Sequence, residues 1–355
     1  MIKKITRGLL FFCIMVFSAC SNYSPTTNYS PSEGYMFDTQ TQEQKTFIEK
    51  VRGNGIDDAL VWLKSIQGQQ EFSYPEKLLL EWDGNKKTHN LEISETEDFA
   101  GAQVIELQGN SYTLENLKIG WKYYWRVDGG NVNTFETKNC EWRFIHIDGL
   151  RNVRDLGGRK IKQGLVFRGS EPEGSNYHIT EQGKKVFHDD LKIKTELDLR
   201  AEYFGNFESP VEGVYLKQIP YRPYIEVFEE QHRREIVEIM EFLSDENVYP
   251  LYFHCKGGAD RTGMIALYLQ ALVGEKEEDI FLDYELTSLA RIPQLDSPLT
   301  VNGYRSRNKD YFVNFLNELQ NYAPSQGLQA QVRAFLKDCG VSDACMDKIV
   351  EIIKK

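Results

Sequence analysis

Residues 248–263 read VYPLYFHCKGGADRTG, and this stretch decides the fold of the C-terminal half. Its first six residues form an apolar segment with the length of a buried strand, and the apolar run from Met264 to Val273 has the length of a helix. The glycine-rich loop between them, 254–263, would direct backbone N–H groups and the positive end of the helix dipole at one place. The stretch therefore predicts a strand, an anion-binding loop and a helix.

Two side chains of this loop have the properties of a nucleophile and of a phosphate-binding cation. Cys255 stands where the positive field of the loop would lower the pKa of its thiol, and the resulting thiolate is a nucleophile. Arg261, six residues later, can hold two phosphate oxygens with its planar guanidinium. We therefore expect Cys255 and Arg261 to be catalytic, and an inert buried cysteine in a turn is the alternative.

The loop resembles the phosphate loop of the protein-tyrosine phosphatase superfamily, whose pattern is H-C-x5-R-T/S-G. The match extends to NVRDLGG at 152–158, LVFR at 165–168 and LDLR at 197–200, and to a helical hairpin at the C-terminus. The resemblance covers about residues 143–355. It implies an α/β phosphatase domain in which helices wrap a central sheet.

The loop is similar to that of secreted bacterial tyrosine/lipid phosphatases, which reads H-C-x-A-G-K-D-R-T-G. Gly257 stands where those proteins have alanine, and we expect this change to be harmless. Ala259 stands where they have lysine, which weakens the expectation of a phosphoinositide preference. Lys256 restores one positive charge at a different place.

The resemblance also implies a role for each loop residue. Cys255 would attack phosphorus and form a phosphocysteine, while Arg261 and the loop N–H groups hold the phosphate oxygens. His254 would orient the cysteine, and Thr262 would hydrogen-bond the departing thiolate. The phosphate-binding residues are then Lys256, Gly257, Gly258, Ala259, Asp260 and Arg261.

The leaving oxygen needs a proton, so a general acid must stand near the loop. Many superfamily members supply an aspartate from an upstream loop, but residues 218–224 contain none. We expect Asp260 to be the acid, with Asp198 and Glu226 as alternatives. A carboxylate inside the loop could instead only position Arg261 or water.

Four charged residues outside the loop have structural interpretations. We expect Arg154 and Asp155 to form an ion pair near the site, and Arg168 and Arg200 to form ion pairs at strand ends. Contact with the substrate is the alternative for each.

The N-terminus predicts an exported, lipid-anchored protein. Lys3, Lys4 and Arg7 precede an apolar run over 8–17, and small residues follow, which is the pattern of a signal peptide. The residues just before and including Cys20, FSAC, resemble the bacterial lipobox, in which the cysteine is lipidated. We therefore expect a protein of the bacterial cell envelope, anchored through Cys20; an ordinary signal peptide is the alternative.

Residues 71–138 alternate apolar and polar positions in short runs separated by turns, which predicts a β-sandwich. The stretch 117–127, LKIGWKYYWRV, resembles the L-x-P-G-T-x-Y-x-x-x-V stretch of fibronectin type III modules. That resemblance makes Tyr123 the corner tyrosine and Trp82 the core tryptophan of an early strand. We expect a spacer or adhesive module, and glycan binding by exposed aromatics is the alternative.

The predicted fold class is multidomain, an N-terminal fibronectin III/Ig-like β-sandwich followed by the α/β phosphatase domain. We predict a lipoprotein signal peptide over 1–19, a tether with short helices over 20–70, the β-sandwich over 71–140 and the catalytic domain over 141–355. The tether is expected over 21–44, because that segment is polar and lacks apolar periodicity.

Charge and composition restrict the partners. The 42 Lys and Arg against 53 Asp and Glu give a net charge of −11, which makes nucleic acid an unfavourable partner. The 6 histidines are scattered without ligand spacing, so we predict neither a metal site nor a cofactor. Cys339 and Cys345 could form a disulfide or remain half-buried thiols.

Three functions are compatible with the sequence. The first is an exported phosphatase that acts on phosphotyrosine in proteins or on small phosphate monoesters. The second is a phosphatase of phosphoinositides or inositol phosphates, and the third is a catalytically idle phosphate-binding or adhesive protein. Intact Cys255 and Arg261 argue against the third, because a binding protein needs no nucleophile.

Overall fold

The computed structural model describes residues 34–67, 71–174, 176–200, 208–290 and 304–355, with the backbone alone for 304–310. The predicted signal peptide and Cys20 lie outside these ranges. No helix within them is long and apolar enough to cross a bilayer.

In this part of the chain the strands are β1 (Met36–Phe37), β2 (Leu78–Glu81), β3 (Thr88–Ser94), β4 (Gln103–Gln108), β5 (Ser111–Leu114), β6 (Lys122–Val127), β7 (Asn133–Thr137), β8 (Arg143–Phe144), β9 (Arg154–Asp155), β10 (Val166–Gly169), β11 (Thr195–Asp198), β12 (Tyr215–Gln218) and β13 (Leu251–His254). The α-helices are α1 (Gln42–Asn54), α2 (Ile56–Gln67), α3 (Glu181–Lys185), α4 (Arg233–Leu243), α5 (Asp260–Leu272), α6 (Glu277–Glu285), α7 (Tyr304–Leu319), α8 (Leu328–Cys339) and α9 (Asp343–Ile353). Apolar periodicity also predicts short strands near 165–168, 194–199, 214–219 and 249–254, and these are confirmed as β10, β11, β12 and β13.

The C-terminal region is built on a mixed sheet with the order β12-β11-β13-β10-β9-β8. Strands β10, β13, β11 and β12 are parallel, and β9 and β8 extend the sheet in antiparallel fashion. His254 at the end of β13 pairs with Gly169 on one side and Asp198 on the other. Three carboxyl ends therefore meet at the first residue of the predicted loop, which is where parallel sheets place their ligands.

Helix α5 passes through the centre of the larger core. All of its residues from Thr262 to Leu272 are buried, since it packs between the sheet and helices α6, α8 and α9. A helix that is apolar on every side needs such a position. The predicted α/β phosphatase architecture is thus confirmed for this region.

Apolar periodicity predicts helices over 180–189, 226–243, 278–290, 311–322, 326–337 and 342–353, and several of them begin or end elsewhere in the structure. The helix expected over 226–243 starts with 3₁₀ turns at Tyr224–Phe228 and Glu230–His232, and α4 begins only at Arg233. The helix expected over 180–189 is α3 followed by a π turn at Val186–Asp190. Helix α6 ends in a 3₁₀ turn at Leu286–Leu289.

The N-terminal β region has one sheet of order β1-β7-β6-β3-β4 and a second sheet of β2 and β5. Side chains from both sheets share one apolar cluster, which includes Leu80, Leu91 and Trp125. The Tyr123 hydroxyl accepts a hydrogen bond from the Lys118 N–H at 2.8 Å, the contact that a corner tyrosine makes. The buried tryptophan is Trp125, whereas Trp82 is only partly buried, so that prediction was wrong.

The tether predicted over 21–44 is wrong for 36–44, because β1 adds to the sheet beside β7 and α1 begins at Gln42. The two helices predicted after it are confirmed as α1 and α2. They pack against the catalytic region, where Phe47 and Leu63 join Leu282 and Leu286 in one cluster. Apolar periodicity predicted the helices but could not show which surface covers them.

Candidate active site

Buried polar groups hold the loop 255–261 by its carbonyls. The Asn152 amide donates to the carbonyls of Gly257 and Gly258, both at 3.0 Å, and the Arg168 guanidinium donates to Gly258 at 2.8 Å. The Lys256 carbonyl accepts from the Glu171 N–H. Peptide units whose carbonyls point outward direct their N–H groups inward, as an anion site requires.

Gly258 is required by the loop geometry. Its φ of +65° lies in the left-handed region, and an added Cβ would lie 2.4 Å from the backbone of Gly169. The loop therefore passes so close to the end of β10 that only glycine fits there.

The Cys255 thiol is buried at the base of this loop. Burial alone would raise its pKa, but the positive charge of Arg261 and hydrogen bonding from Thr262 lower the pKa below the ordinary value. The Thr262 hydroxyl is itself buried and has no other hydrogen-bond partner of regular geometry in the described residues. The structure thus brings together the three residues that the sequence predicted for nucleophile, cation and thiolate donor.

Arg261 lies in the first turn of α5, where its Nη1 donates to the Leu199 carbonyl at 3.3 Å. Ala259, immediately before the helix, is buried against Tyr177 and Ala290. The side chain of Lys256 is partly exposed. The loop therefore carries its charge at Lys256 and Arg261 and an apolar contact at 259.

His254 has the scaffold position predicted for it. Its Nε2 lies 2.8 Å from Glu196 Oε1, and its Nδ1 lies 3.0 Å from the Cys255 carbonyl. Burial opposes protonation, but the carboxylates of Asp198 and Glu196 raise the pKa of the imidazole. A protonated ring donates from both nitrogens and fixes the peptide that carries the nucleophile.

Asp198 is a poor candidate for the general acid. It is buried, which would raise its pKa, but His254 and hydrogen bonds from Arg200 lower the pKa to about 2. A carboxyl group with that pKa is ionised at neutral pH and has no proton to give. The other alternative, Glu226, lies on an exposed turn.

Asp260 is the first residue of α5. Its Oδ1 accepts a hydrogen bond from the Tyr224 hydroxyl and lies 3.4 Å from the Tyr284 hydroxyl. The two tyrosine hydroxyls are 2.5 Å apart. Asp260 is therefore the predicted carboxyl group that lies on the loop itself and has hydroxyl groups around it.

The buried arginines near the loop are ion-paired, but partly with other partners than predicted. Arg154 and Arg168 both bind Asp283 of α6, at 3.2 and 2.7 Å. Asp155 binds Arg143 at 2.8 Å instead of Arg154, because neighbours on a strand point to opposite faces. The expected pair of Arg154 with Asp155 was wrong.

Arg200 also makes the expected strand-end ion pairs. It binds Asp198 at 2.9 Å and Glu171 at 2.7 Å, and all three side chains are buried. The Glu171 N–H in turn supports the Lys256 carbonyl, so this ion-paired group connects two strand ends to the loop.

Sequence reasoning missed several residues that shape the site, namely Asn152, Glu171, Tyr224, Asp283 and Tyr284. Asn152 lies in the stretch NVRDLGG that carries part of the family resemblance, so that stretch could have pointed to it. The others have no local pattern, because their partners are far away in the chain.

Cys339 and Cys345 are free thiols in the structure, which decides between the two alternatives left open. Burial raises the pKa of Cys339 to about 12.

A cysteine and an arginine in a loop at the carboxyl edge of a parallel sheet define a cysteine-dependent tyrosine phosphatase-like superfamily. Residues 145–354 match the model of the tyrosine phosphatase family. The chain therefore belongs to the tyrosine phosphatase family. No curated protein matches the chain.

Several solved structures are similar to about half of this chain at low sequence identity. The catalytic core of the PP-IP phosphatase SIW14 from S. cerevisiae is 18% identical, with 46% of this chain and 94% of that chain covered and a TM-score of 0.28. TpbA from P. aeruginosa is 14% identical, with 47% and 97% covered and a TM-score of 0.27. The tyrosine phosphatase OH1 from the Orf virus is 16% identical, with 52% and 87% covered and a TM-score of 0.21.

Proposed function

We propose that this protein hydrolyses phosphate monoesters, phosphotyrosine first among them, through a phosphocysteine intermediate. The observation that carries the proposal is the Cys255 thiol, which has a lowered pKa and lies at the base of a loop whose carbonyls are tied outward. A thiolate beneath converging N–H groups is arranged for attack on a bound phosphate.

In the first step the Cys255 thiolate attacks phosphorus, so that an S–P bond forms and the P–O bond to the leaving group breaks. The loop N–H groups and Arg261 hold the other oxygens, where negative charge is spread. Asp260 gives its proton to the leaving oxygen.

In the second step water attacks the phosphocysteine. The S–P bond breaks, inorganic phosphate leaves, and Asp260 takes a proton from the water. The Thr262 hydroxyl donates a hydrogen bond to the departing thiolate. It is suited to this role because no other acceptor in the described residues competes for its proton.

Residue 259 favours phosphotyrosine over the phosphoinositide alternative. Ala259 packs against Tyr177 and Ala290 and offers no cation to a second phosphate. The partly exposed Lys256 is the observation in favour of inositol phosphates, because it adds a positive charge to the loop. Both substrate classes therefore belong in one assay.

The test compares the wild-type protein with Cys255→Ser and Cys345→Ser on phosphotyrosine peptides, inositol phosphates and phosphoinositides. We expect turnover of phosphotyrosine peptides by wild type, its loss in Cys255→Ser, and no change in the control Cys345→Ser, whose sulfur lies on α9, 3.3 Å from the Met240 carbonyl of α4. Faster turnover of inositol phosphates would favour the second function. Binding of phosphate without any turnover would favour the idle binding protein.

We also propose export and anchoring through a lipid on Cys20, supported by the FSAC stretch after the apolar run. Cys20→Ser should move the protein from the membrane fraction to the soluble fraction. Unchanged membrane association at normal expression would contradict the anchor.

The fibronectin III-like identity of the β region, with a spacer or adhesive role, is a proposal that the Tyr123 hydrogen bond supports.

A further inference from the structure

Asp260 is surrounded by aromatic hydroxyls that the reaction described above does not use. The Tyr224 hydroxyl donates to Asp260 Oδ1, and the Tyr284 hydroxyl lies 2.5 Å from that of Tyr224 and 3.4 Å from the same carboxyl oxygen. These residues are distant in the chain, since Tyr224 opens a 3₁₀ turn and Tyr284 belongs to α6. The fold therefore assembles a cluster of two hydroxyls and one carboxyl.

The backbone of Tyr224 is strained. Its φ of +62° lies in the left-handed region, which is unfavourable for a bulky side chain. Such strain persists where the surrounding contacts hold it, and here the hydroxyl contact with Asp260 and the stacking on Tyr311 do so. The strain aims the phenol at the loop.

The hydrogen bond to Oδ1 favours one of the two acid forms of Asp260. When Oδ1 accepts from Tyr224, the acid form of Asp260 holds its proton on Oδ2. A carboxyl fixed in this way presents one oxygen to the leaving group without first having to rotate.

We propose that Tyr224, supported by Tyr284, is a positioning residue that orients Asp260 for proton transfer to the leaving oxygen. The inference rests on the proposed function. It implies that the tyrosine pair matters for esters whose leaving oxygen needs a proton, such as phosphotyrosine, and matters little for activated aryl esters.

Packing is the competing explanation, because the Tyr224 ring stacks on Tyr311 at 5.6 Å and the Tyr284 ring on Phe312 at 4.0 Å. Phenylalanine variants keep both rings and remove the hydroxyls. Tyr221→Phe is a matched control, because it removes a buried hydroxyl that is 2.9 Å from that of Tyr268 and is not bonded to Asp260.

The experiment measures single-turnover rates of wild type, Tyr224→Phe, Asp260→Asn and the double variant on a phosphotyrosine peptide and on p-nitrophenyl phosphate. We expect Tyr224→Phe to slow the peptide about 10-fold and the activated ester less than about 2-fold, with unchanged vanadate affinity. The double variant should be no slower on the peptide than Asp260→Asn alone, because the two side chains act as one unit. Tyr221→Phe should match wild type on both substrates.

Equal slowing of both substrates by Tyr224→Phe, or a full additive loss in the double variant, would overturn the inference while leaving the proposed function intact. Absence of wild-type turnover on either substrate would overturn the function and the inference together. If Tyr224→Phe does not fold, Tyr284→Phe provides the same comparison, and equal rates for Tyr284→Phe and wild type on the peptide would then refute the pair.

Discussion

Cys255 differs from the other described cysteines in the charge around its sulfur. Arg261 and Thr262 lower its pKa against the effect of burial. Burial raises the pKa of Cys140 to about 11, helped by the nearby Asp38, and that of Cys339 to about 12. Since the thiolate is the reactive form, we expect Cys255 to be more reactive than Cys140 and Cys339.

Selective alkylation follows from this difference. Iodoacetamide at pH 6.5 should modify Cys255 at least about 10-fold faster than Cys140 or Cys339, because the lowered pKa of Cys255 gives it the largest thiolate fraction of the three. Peptide mapping by mass spectrometry measures the three rates, and vanadate should protect Cys255 alone. Equal labelling of all three would contradict the pKa order.

The lowered pKa of Asp198 predicts how the stability of the protein changes at acidic pH. Its pKa of about 2 in the folded protein lies below the ordinary 3.8, so its contribution to stability is complete above pH ~4 and is lost as the pH falls through about 2. That contribution is about 2 kcal/mol. Asp198→Asn should therefore lower the free energy of unfolding at pH 7 and flatten its decline between pH 4 and pH 2.

Urea titrations at several pH values make this measurement. The exposed Asp347 serves as control, and Asp347→Asn should keep the wild-type pH dependence. A wild-type acid limb in Asp198→Asn would show that another carboxylate carries it.

Residues of the loop could be predicted from sequence because their spacing is local. Cys255, Arg261 and Thr262 lie within eight positions of one another, and the peptide backbone alone places them together. Tyr224 and Asp283 could not be predicted in this way, because their partners Asp260 and Arg168 are reached only through the tertiary fold.

At the scale of elements, α6 connects the loop to the rest of the catalytic region. Its Asp283 binds two buried arginines, one of which also holds the Gly258 carbonyl, and its Tyr284 meets Tyr224. Arg154 and Arg168 lower the pKa of Asp283 against the effect of burial, so the carboxylate stays ionised among them.

Removal of the Asp283 carboxylate should leave two buried guanidinium groups uncompensated. We expect Asp283→Ala to lower the free energy of unfolding by about 3–5 kcal/mol and to reduce phosphatase activity, because Arg168 would no longer be held against the loop. Chemical denaturation and turnover measure the two effects. The exposed Glu278 of the same helix is the control, and Glu278→Ala should change stability by less than about 0.5 kcal/mol.

Periodicity predicted most elements, but the breaks in them came from tertiary contacts. The 3₁₀ turn at Tyr224–Phe228 replaces the start of the helix predicted over 226–243, because Glu229 has an extended backbone (φ −72°, ψ 134°) that cannot continue a helix. The apolar pattern of that segment is helical all the same. Pattern alone therefore could not show the turn that carries Tyr224 to the site.

At the scale of the whole molecule, the catalytic region packs against helices α1 and α2, which lie outside the residues that match the family. Helices α1 and α2 cover Leu282, Leu286 and Leu289, which adjoin the residues of α6 that support the loop. Arg52 of α1 also binds Asp279 at 2.8 Å. The catalytic region 145–354 is therefore completed by a helical hairpin from before the β region.

This contact predicts that a core change in α1 weakens the catalytic site. Phe47→Ala should destabilise the protein by about 3–5 kcal/mol and lower turnover at elevated temperature before global unfolding. Val61→Ala, at a position that is 71% exposed, is the control and should change neither quantity. Thermal scans with parallel rate measurements test both, and a stable, fully active Phe47→Ala would contradict the coupling.

The position of helices α1 and α2 in the chain also determines when this hairpin can be covered during synthesis. Phe47 and Leu63 are made early, but the α6 side chains that cover them follow roughly 220 residues later. At ~5–20 residues per second, the ribosome needs roughly 10 to 45 seconds to cross that interval. The β region can close its own core within this time, whereas the hairpin keeps part of its apolar face uncovered until α6 has been made.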